Sequence, residues 1–200
     1  VIKKGVDCFV VYADAETTLV TLKQLKAEPL VNRIFVLMKG EEECPFIGCD
    51  VIRISSMDNS DTIRQIAAAV EAPYALVCFL PVKITLGYQA IRRMVSVAES
   101  VAPAAVYADR YQVKNGQKVP TPTMDFYYGS VRDDFDFGPV SLFNSSTLKM
   151  YVEEYPDAAY QYSCWYDLHL FYLRRKRLAS IFHVREYLYT EEAVDLRKSG

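Results

Sequence analysis

The chain is 200 residues long, 51% hydrophobic and 24% charged, with a net charge of -2 and a pI near 5.8. That length and apolar content suit one domain with a full core and leave little for a second, and the charge balance gives no reason to expect a nucleic-acid binder, a local patch apart. No apolar run approaches the roughly 20 residues that cross a bilayer, and Val1-Ile2-Lys3-Lys4 is no signal peptide, so any membrane contact would be peripheral.

In chain order, Val6 to Tyr12 reads as a buried strand and Thr17 to Glu28 as a helix with Leu19, Leu22 and Leu25 at helical spacing, stopped by Pro29. Arg33 to Met38 is a second strand, Lys39 to Gly48 a polar loop, and Val51 to Ile54 a short third strand. Ser60 is placed to cap a helix in which Ile63, Ile66, Ala67 and Val70 share a face, ending at Pro73. The run Tyr74-Ala75-Leu76-Val77-Cys78-Phe79-Leu80 is too continuously apolar to have one wet face, and reads as a strand buried on both sides in mid-sheet. Gly87 to Ser100 sets Ile91, Met94, Val95 and Ala98 on one side of a helix, and Ala104 to Tyr111 is a further strand. Strands alternating with helices in this way predict parallel pairing through right-handed crossovers, hence an α/β three-layer sandwich with a mostly parallel central sheet.

After Asp109 the pattern changes. Lys114-Asn115-Gly116-Gln117, between Tyr111-Gln112-Val113 and Lys118-Val119, is a hairpin signal because Asn-Gly suits the positive φ angles of a type I′ turn. Pro120 and Pro122 prolong this excursion, and Tyr127 to Leu142 mixes aromatics and acids without periodicity. Asn144 to Tyr151 reads as a short helix, Ser163 to Leu173 as a longer one carrying Trp165, Leu168, Phe171 and Tyr172, and Ala179 to Val184 as the last strand. Cys8, Cys44, Cys49, Cys78 and Cys164 lack framework spacing, and Cys44 with Cys49 makes at most half a zinc site, so all read as reduced thiols of a cytoplasmic chain.

A family resemblance rests on an ordered series of segments. They are the first strand with its Leu-spaced helix, Pro29-Leu30-Val31-Asn32-Arg33-Ile34, the Ser60 to Ala72 helix before Tyr74, Val106-Tyr107-Ala108-Asp109, Phe135-Asp136-Phe137-Gly138, Trp165-Tyr166-Asp167-Leu168 and Glu186-Tyr187-Leu188-Tyr189-Thr190. In order and spacing the chain resembles the inverting GT-A glycosyltransferases of family 2 over nearly its whole length, and its latter half is also similar to family 2 transferases of gut Bacteroidetes. The resemblance implies one GT-A-like domain over 1–200, with a nucleotide-binding half (1–110) and an acceptor-side half (111–200). It implies transfer of a sugar from a nucleotide-sugar donor to a polysaccharide or lipid-linked acceptor in bacterial polysaccharide biosynthesis. The polar end Arg197-Lys198-Ser199-Gly200 is compatible with a piece of a longer polypeptide.

In that family the strand matching Tyr74 to Leu80 ends in an Asp-x-Asp motif, which holds Mg²⁺ or Mn²⁺ against the donor diphosphate and offsets charge on the leaving group. Here Phe79-Leu80-Pro81 stands in that place and offers no ligand, so the family's metal is not carried over and a metal-independent or weakly active enzyme is expected. Leu37-Met38-Lys39-Gly40 likewise replaces the family's acidic base-binding stretch, and Met57-Asp58-Asn59-Ser60 its glycine-bearing loop.

An inverting transfer needs a general base on the acceptor hydroxyl; Asp167, matching the family's acid at the start of the late helix, is the catalytic candidate, against the alternative that it only complements a helix dipole. Lys83 after the central strand and Arg64 on the preceding helix are candidate cations for the leaving diphosphate, or solvated surface charges. Asp14 either hydrogen-bonds a nucleobase or ribose or caps the next helix. Asp109 and Asp136 are candidate sugar-hydroxyl acceptors, with Tyr127, Tyr128, Phe135 and Phe137 as stacking faces; the plainer reading is that Arg132 pairs with one of Asp133, Asp134 and Asp136 and that Phe135 and Phe137, two apart, alternate into the core, and a metal on those three acids is the lesser alternative. His169 reads as a surface or packing histidine, and Arg174-Arg175-Lys176-Arg177 either opposes a helix dipole or touches anionic headgroups. The second function class is a degenerate GT-A domain that binds a sugar, nucleotide or protein without turnover. A Rossmann oxidoreductase is disfavoured, since Tyr12-Ala13-Asp14-Ala15-Glu16 has no glycine to admit a pyrophosphate.

Overall fold

The computed structural model describes residues 5–126, 135–175 and 181–193. In chain order the elements are β1 (Val6–Val11), α1 (Ala15–Ala27), β2 (Val31–Met38), β3 (Asp50–Arg53), α2 (Ser60–Ala69), β4 (Tyr74–Cys78), β5 (Lys83–Leu86), α3 (Ala90–Val101), β6 (Ala105–Lys114), β7 (Gln117–Thr121), β8 (Val140–Asn144), α4 (Ser145–Glu154), α5 (Cys164–Arg174) and β9 (Ile181–Glu192). One sheet runs β3-β2-β1-β4-β8-β6-β9-β5, with β7 added on β6. β1, β2, β3, β4, β6 and β9 point one way and β5, β7 and β8 the other.

The central strand explains the sandwich. Ala75 and Val77 of β4 join one buried cluster with α2, α4 and α5, while Leu76 and Cys78 join another with α1 and α3. Alternate side chains of one strand therefore feed two cores, which is why its sequence shows no polar face. The sheet curls so that its last strand, β5, returns to α1, whose side chains take the place of a further strand. Thr21 Oγ1 accepts from Ile84 N–H at 3.1 Å, and Gln24 accepts from Leu86 N–H at 2.7 Å and donates to Ile84 C=O at 3.0 Å. The edge that would otherwise expose unpaired amides is thereby closed.

Most predicted elements are present within a few residues. Three readings change. Leu19 is exposed, because the buried stripe of α1 is Thr18, Thr21, Leu22 and Leu25, four positions at helical spacing of which two are threonines. The cap of α2 is Asn59, whose side chain accepts from Asp61 N–H at 2.8 Å; Ser60 opens the helix and bonds elsewhere. β5 and β8 were not legible, and β8 breaks the parallel order by running antiparallel between β4 and β6. The hairpin is as predicted, with Asn115 and Gly116 at φ 52° and 75° between paired Lys114 and Gln117.

Candidate functional site

The carboxyl edge of the parallel strands is where ligands of open α/β sheets sit, and its centre is the exit of β4. Phe79 there turns into the α5 side, edge-on to Trp165 at 4.7 Å and to Phe143 at 6.1 Å. Its backbone N–H donates to Pro139 C=O at 2.9 Å. Beside it, the 39–49 loop folds over the end of β1, with Phe46 against Tyr12 at 6.2 Å. Phe79 is thus packed against α5 and β8 while Leu80 and Pro81 are exposed, and none of the three side chains where the resembled family holds its cation fits a divalent ion. Among the described residues no group of three or more His, Cys, Asp or Glu side chains could hold one either.

Asp167 lies in the first turn of α5, with Tyr151 of α4 donating its hydroxyl to Oδ2 at 2.8 Å. Burial first, then this hydrogen bond, pushes the Tyr151 phenol up, so it stays a neutral donor. Trp165, two residues away and about 200° around the helix, is the side chain that meets Phe79, so Asp167 points to the opposite flank. Asp14 caps α1, accepting from Thr17 N–H at 2.8 Å, and that backbone hydrogen bond holds its carboxyl below the usual range. Arg64 is spent on Asp61 and on the carbonyls of Pro156 and Ala158, so it ties the 155–160 segment to α2. Lys83, at the start of β5, pairs with Glu192, its register partner on β9.

Asp109 and Asp136 belong to two adjoining networks. Register carries Val77 of β4 to Ser141 and then to Tyr107, so Asp109, two residues on, is level with Phe79, but inside β6 rather than at its end. It is buried. Its Oδ1 accepts from Thr123 N–H at 2.8 Å and Thr123 Oγ1 at 2.9 Å, and faces His183 Nε2 at 2.9 Å. The other nitrogen, Nδ1, faces Asp125 Oδ1 at 2.6 Å. Thr123 Oγ1 also lies 2.8 Å from His183 Nε2, so Thr123, His183 and Asp125 resemble a nucleophilic triad, but Thr123 is buried, its hydroxyl donates to Asp109, and Nε2 is shared with that same carboxylate. A buried hydroxyl whose proton already goes to Asp109 has no access to a substrate, and the network joins β6, β9 and the 123–125 segment. Arg185, with Asp125 at 2.5 Å, and then His183 hold the Asp125 carboxyl below its usual range.

Next along β6, Arg110 is 5% exposed and bridges Asp136 at 2.7 Å and Glu191 at 2.8 Å. Burial works against its charge, and the two acids more than offset that. Gly138 lies over this pair at φ 77°, where an added Cβ would stand 2.5 Å from the Tyr189 hydroxyl and 3.3 Å from Arg110 Nη1. That close approach explains the glycine in Phe135-Asp136-Phe137-Gly138. Phe137 stacks on His169 at 4.2 Å and meets Tyr107 edge-on at 5.1 Å, so it packs rather than offering a free face. His169, donating from Nδ1 to Trp165 C=O at 2.6 Å, is a buried packing histidine whose pKa burial lowers to about 4.

Among the described residues no hydrogen bond or ion pair joins any two of Asp14, Arg64, Lys83, Asp109, Asp136 and Asp167. Arg110, Thr123, Asp125 and His183 escaped the sequence reading. The one signal was a charged pair, Asp109-Arg110, directly after the apolar run Ala104 to Ala108. Tyr127, Tyr128, Arg132, Asp133, Asp134, Lys176 and Arg177 lie outside the described residues. No helix among the described residues is long and apolar enough to cross a membrane. A cavity of about 470 Å³ opens between α3 and the first half of β9, with the ion pairs Arg93 to Glu186 and Arg185 to Asp125 on its walls.

The sequence matches no protein-family model and no curated protein. Solved structures do match in fold. S. aureus TarS 1-349 aligns at TM-score 0.61 and 11% identity over 93% of this chain and 60% of its own, and its complex with UDP aligns at TM-score 0.58 and 11% identity over 94% and 60%. The 4-diphosphocytidyl-2C-methyl-D-erythritolsynthase of Anaerococcus prevotii DSM 20548 aligns at TM-score 0.54 and 10% identity over 98% of this chain and 92% of its own. The chain thus spans about 60% of the length of TarS 1-349. Its fold is a three-layer α/β sandwich with a mostly parallel central sheet, the fold that it shares with these structures.

Proposed function

We propose that this chain is a GT-A transferase-type domain that binds a nucleotide-sugar donor at the carboxyl edge of β1 and β4 and moves its sugar to a carbohydrate or lipid-linked acceptor, as in bacterial polysaccharide synthesis by family 2 enzymes. One observation carries the reading: a structure in complex with UDP shares the fold over 94% of the chain. In an inverting transfer the acceptor oxygen attacks the anomeric carbon, its proton passes to a base and the nucleoside diphosphate leaves. Asp167, with Tyr151 holding Oδ2, is the base in this reading. Phe79, Leu80 and Pro81 supply no metal ligand, so no step is routed through a cation.

A second reading, a domain that binds the donor without turnover, is favoured by the same Phe79 packing and by the flank that Asp167 faces. A panel of UDP-, GDP- and dTDP-sugars, with and without Mn²⁺, tests both. Binding of at least one is expected, and binding of none removes the donor site. In a transferase, Asp167→Asn lowers turnover about 10²–10⁴-fold while donor affinity stays. If donor binds, yet the wild type never turns over in the full panel, the second reading stands.

A further inference from the structure

The 155–163 connection between α4 and α5 contains no regular element, yet it is fastened along its length to the start of α2. Ser60 N–H donates to Tyr160 C=O and Tyr160 N–H donates back to Ser60 Oγ, both at 2.9 Å. Arg64 donates to Pro156 C=O and Ala158 C=O, and Cys164 N–H donates to Asp58 C=O at 3.2 Å. A segment held this firmly still leaves Tyr162 84% exposed and Tyr160 41% exposed. Burying such a ring would stabilise the fold by roughly 1.5–3 kcal/mol, so two rings left in water on an ordered support present a surface rather than a lapse in packing.

Charge indicates what that surface takes. Asp58, Asp61 and Asp157 are exposed around it, and Arg64, which reaches into the segment, is consumed by Asp61 and the two carbonyls. An acidic rim repels phosphate and carboxylate groups but accepts hydrogen bonds from hydroxyls. The aromatic faces suit the apolar C–H face of a pyranose ring. The segment also lies on the carboxyl edge, since it leads into Trp165, which meets Phe79 beside the central strand.

We infer that Tyr160 and Tyr162 form a platform for neutral saccharides, the acceptor side of the transferase-type site. The assignment of this ligand as acceptor rests on the reading above; the platform itself rests on the clamped, exposed tyrosines. Saturation-transfer NMR against maltotriose, cellotriose, tri-N-acetylchitotriose and trigalacturonic acid tests it, with UDP titrated separately. At least one neutral trisaccharide should bind, and the acidic one should bind at least tenfold more weakly than it. Tyr162→Ala should weaken neutral binding about tenfold or more, Tyr162→Trp should retain it, and Tyr88→Ala, at an exposed tyrosine elsewhere, should leave it unchanged. No neutral binding by the wild type, or equal binding by Tyr162→Ala, overturns the platform. Loss of UDP binding from Tyr162→Ala also overturns it, because the tyrosine would then serve the nucleotide. A wild type that binds saccharide through Tyr162 but never UDP leaves the platform standing and removes the donor reading.

Discussion

Two buried carboxylates at opposite ends of the sheet are satisfied in contrasting ways. Asp7, fully buried at the start of β1, accepts from the backbone N–H groups of Arg33, Glu71 and Ala72 at 3.1, 2.8 and 2.9 Å and from the Asn32 amide at 3.0 Å. Asp109, toward the other end, is held by Thr123 and His183, with Asp125 and Arg185 beyond them. None of the donors to Asp7 titrates, and three of them are main chain that no substitution short of proline removes. It therefore closes the amino edge as pure architecture, locking β1 to the entry of β2 and the turn before β4. The Asp109 set is made largely of side chains on separate segments, three of them ionisable (His183, Asp125 and Arg185). The end of the sheet that faces ligands in this fold is thus the one whose polar groups can be exchanged or titrated.

Removing the amino-edge acid should produce the largest change. Asp7→Ala leaves three main-chain donors buried without partners and should cost about 4 kcal/mol in urea unfolding, from roughly 1–3 kcal/mol per stranded group with partial relaxation. A loss under 1 kcal/mol would show that water reaches those amides and dissolve the contrast.

Next comes His169, which stacks on Phe137, the ring that meets Tyr107 of β6. The folded pKa of His169 is about 4, below the ordinary value of about 6.5, so the stability that its neutral ring contributes is complete above pH 6.5 and is lost as pH falls toward 4. The full loss amounts to about 3 kcal/mol, at roughly 1.4 kcal/mol per unit. His169→Phe, which keeps the ring against Phe137, should flatten that limb of the stability profile. An unchanged slope would place the titration elsewhere.

Gly138→Ala should cost about 2–3 kcal/mol, combining a strained positive φ with a clash at Tyr189 and Arg110. A thermal shift of less than a degree would mean that the 135–138 turn gives way freely. The smallest effect is expected at Asp125. Arg185 and His183 depress its pKa, so its contribution is present above the ordinary carboxylate range and fades as pH drops below it. Asp125→Asn should leave stability at pH 7 little changed relative to Asp7→Ala and remove part of the acid-limb slope. A loss at pH 7 as large as that of Asp7→Ala would place both acids in one class.

Local chemistry was readable wherever neighbours in sequence decide the outcome. Asn115-Gly116 makes its turn through its own φ angles, and the stripes Ile63, Ile66, Ala67 and Ile91, Met94, Val95 are buried because helical period alone sets them on one face. The unbroken apolar run of β4 foretold burial on both sides and hence the sandwich. Ser60 was read as a cap on its own merits, but its hydroxyl is taken by Tyr160, one hundred residues away. β8 lacked a signal because Val140 to Asn144 follows an aperiodic stretch, and β5 because a four-residue strand depends on α1 and β9 to hold it.

By itself, then, the sequence determined the order of most elements, the two-faced central strand and the lack of acids at its exit, because these depend on periodicity and on which side chains exist. Only the tertiary structure decided that Asp14 caps a helix, that Lys83 and Arg64 are already paired, that Asp167 looks toward Tyr151, and that His183 holds the middle of a buried network. Each of these is a choice among partners, most of them far apart in the chain. A charge goes to whichever opposite group the fold brings within about 3 Å, and the residue type alone does not name that group.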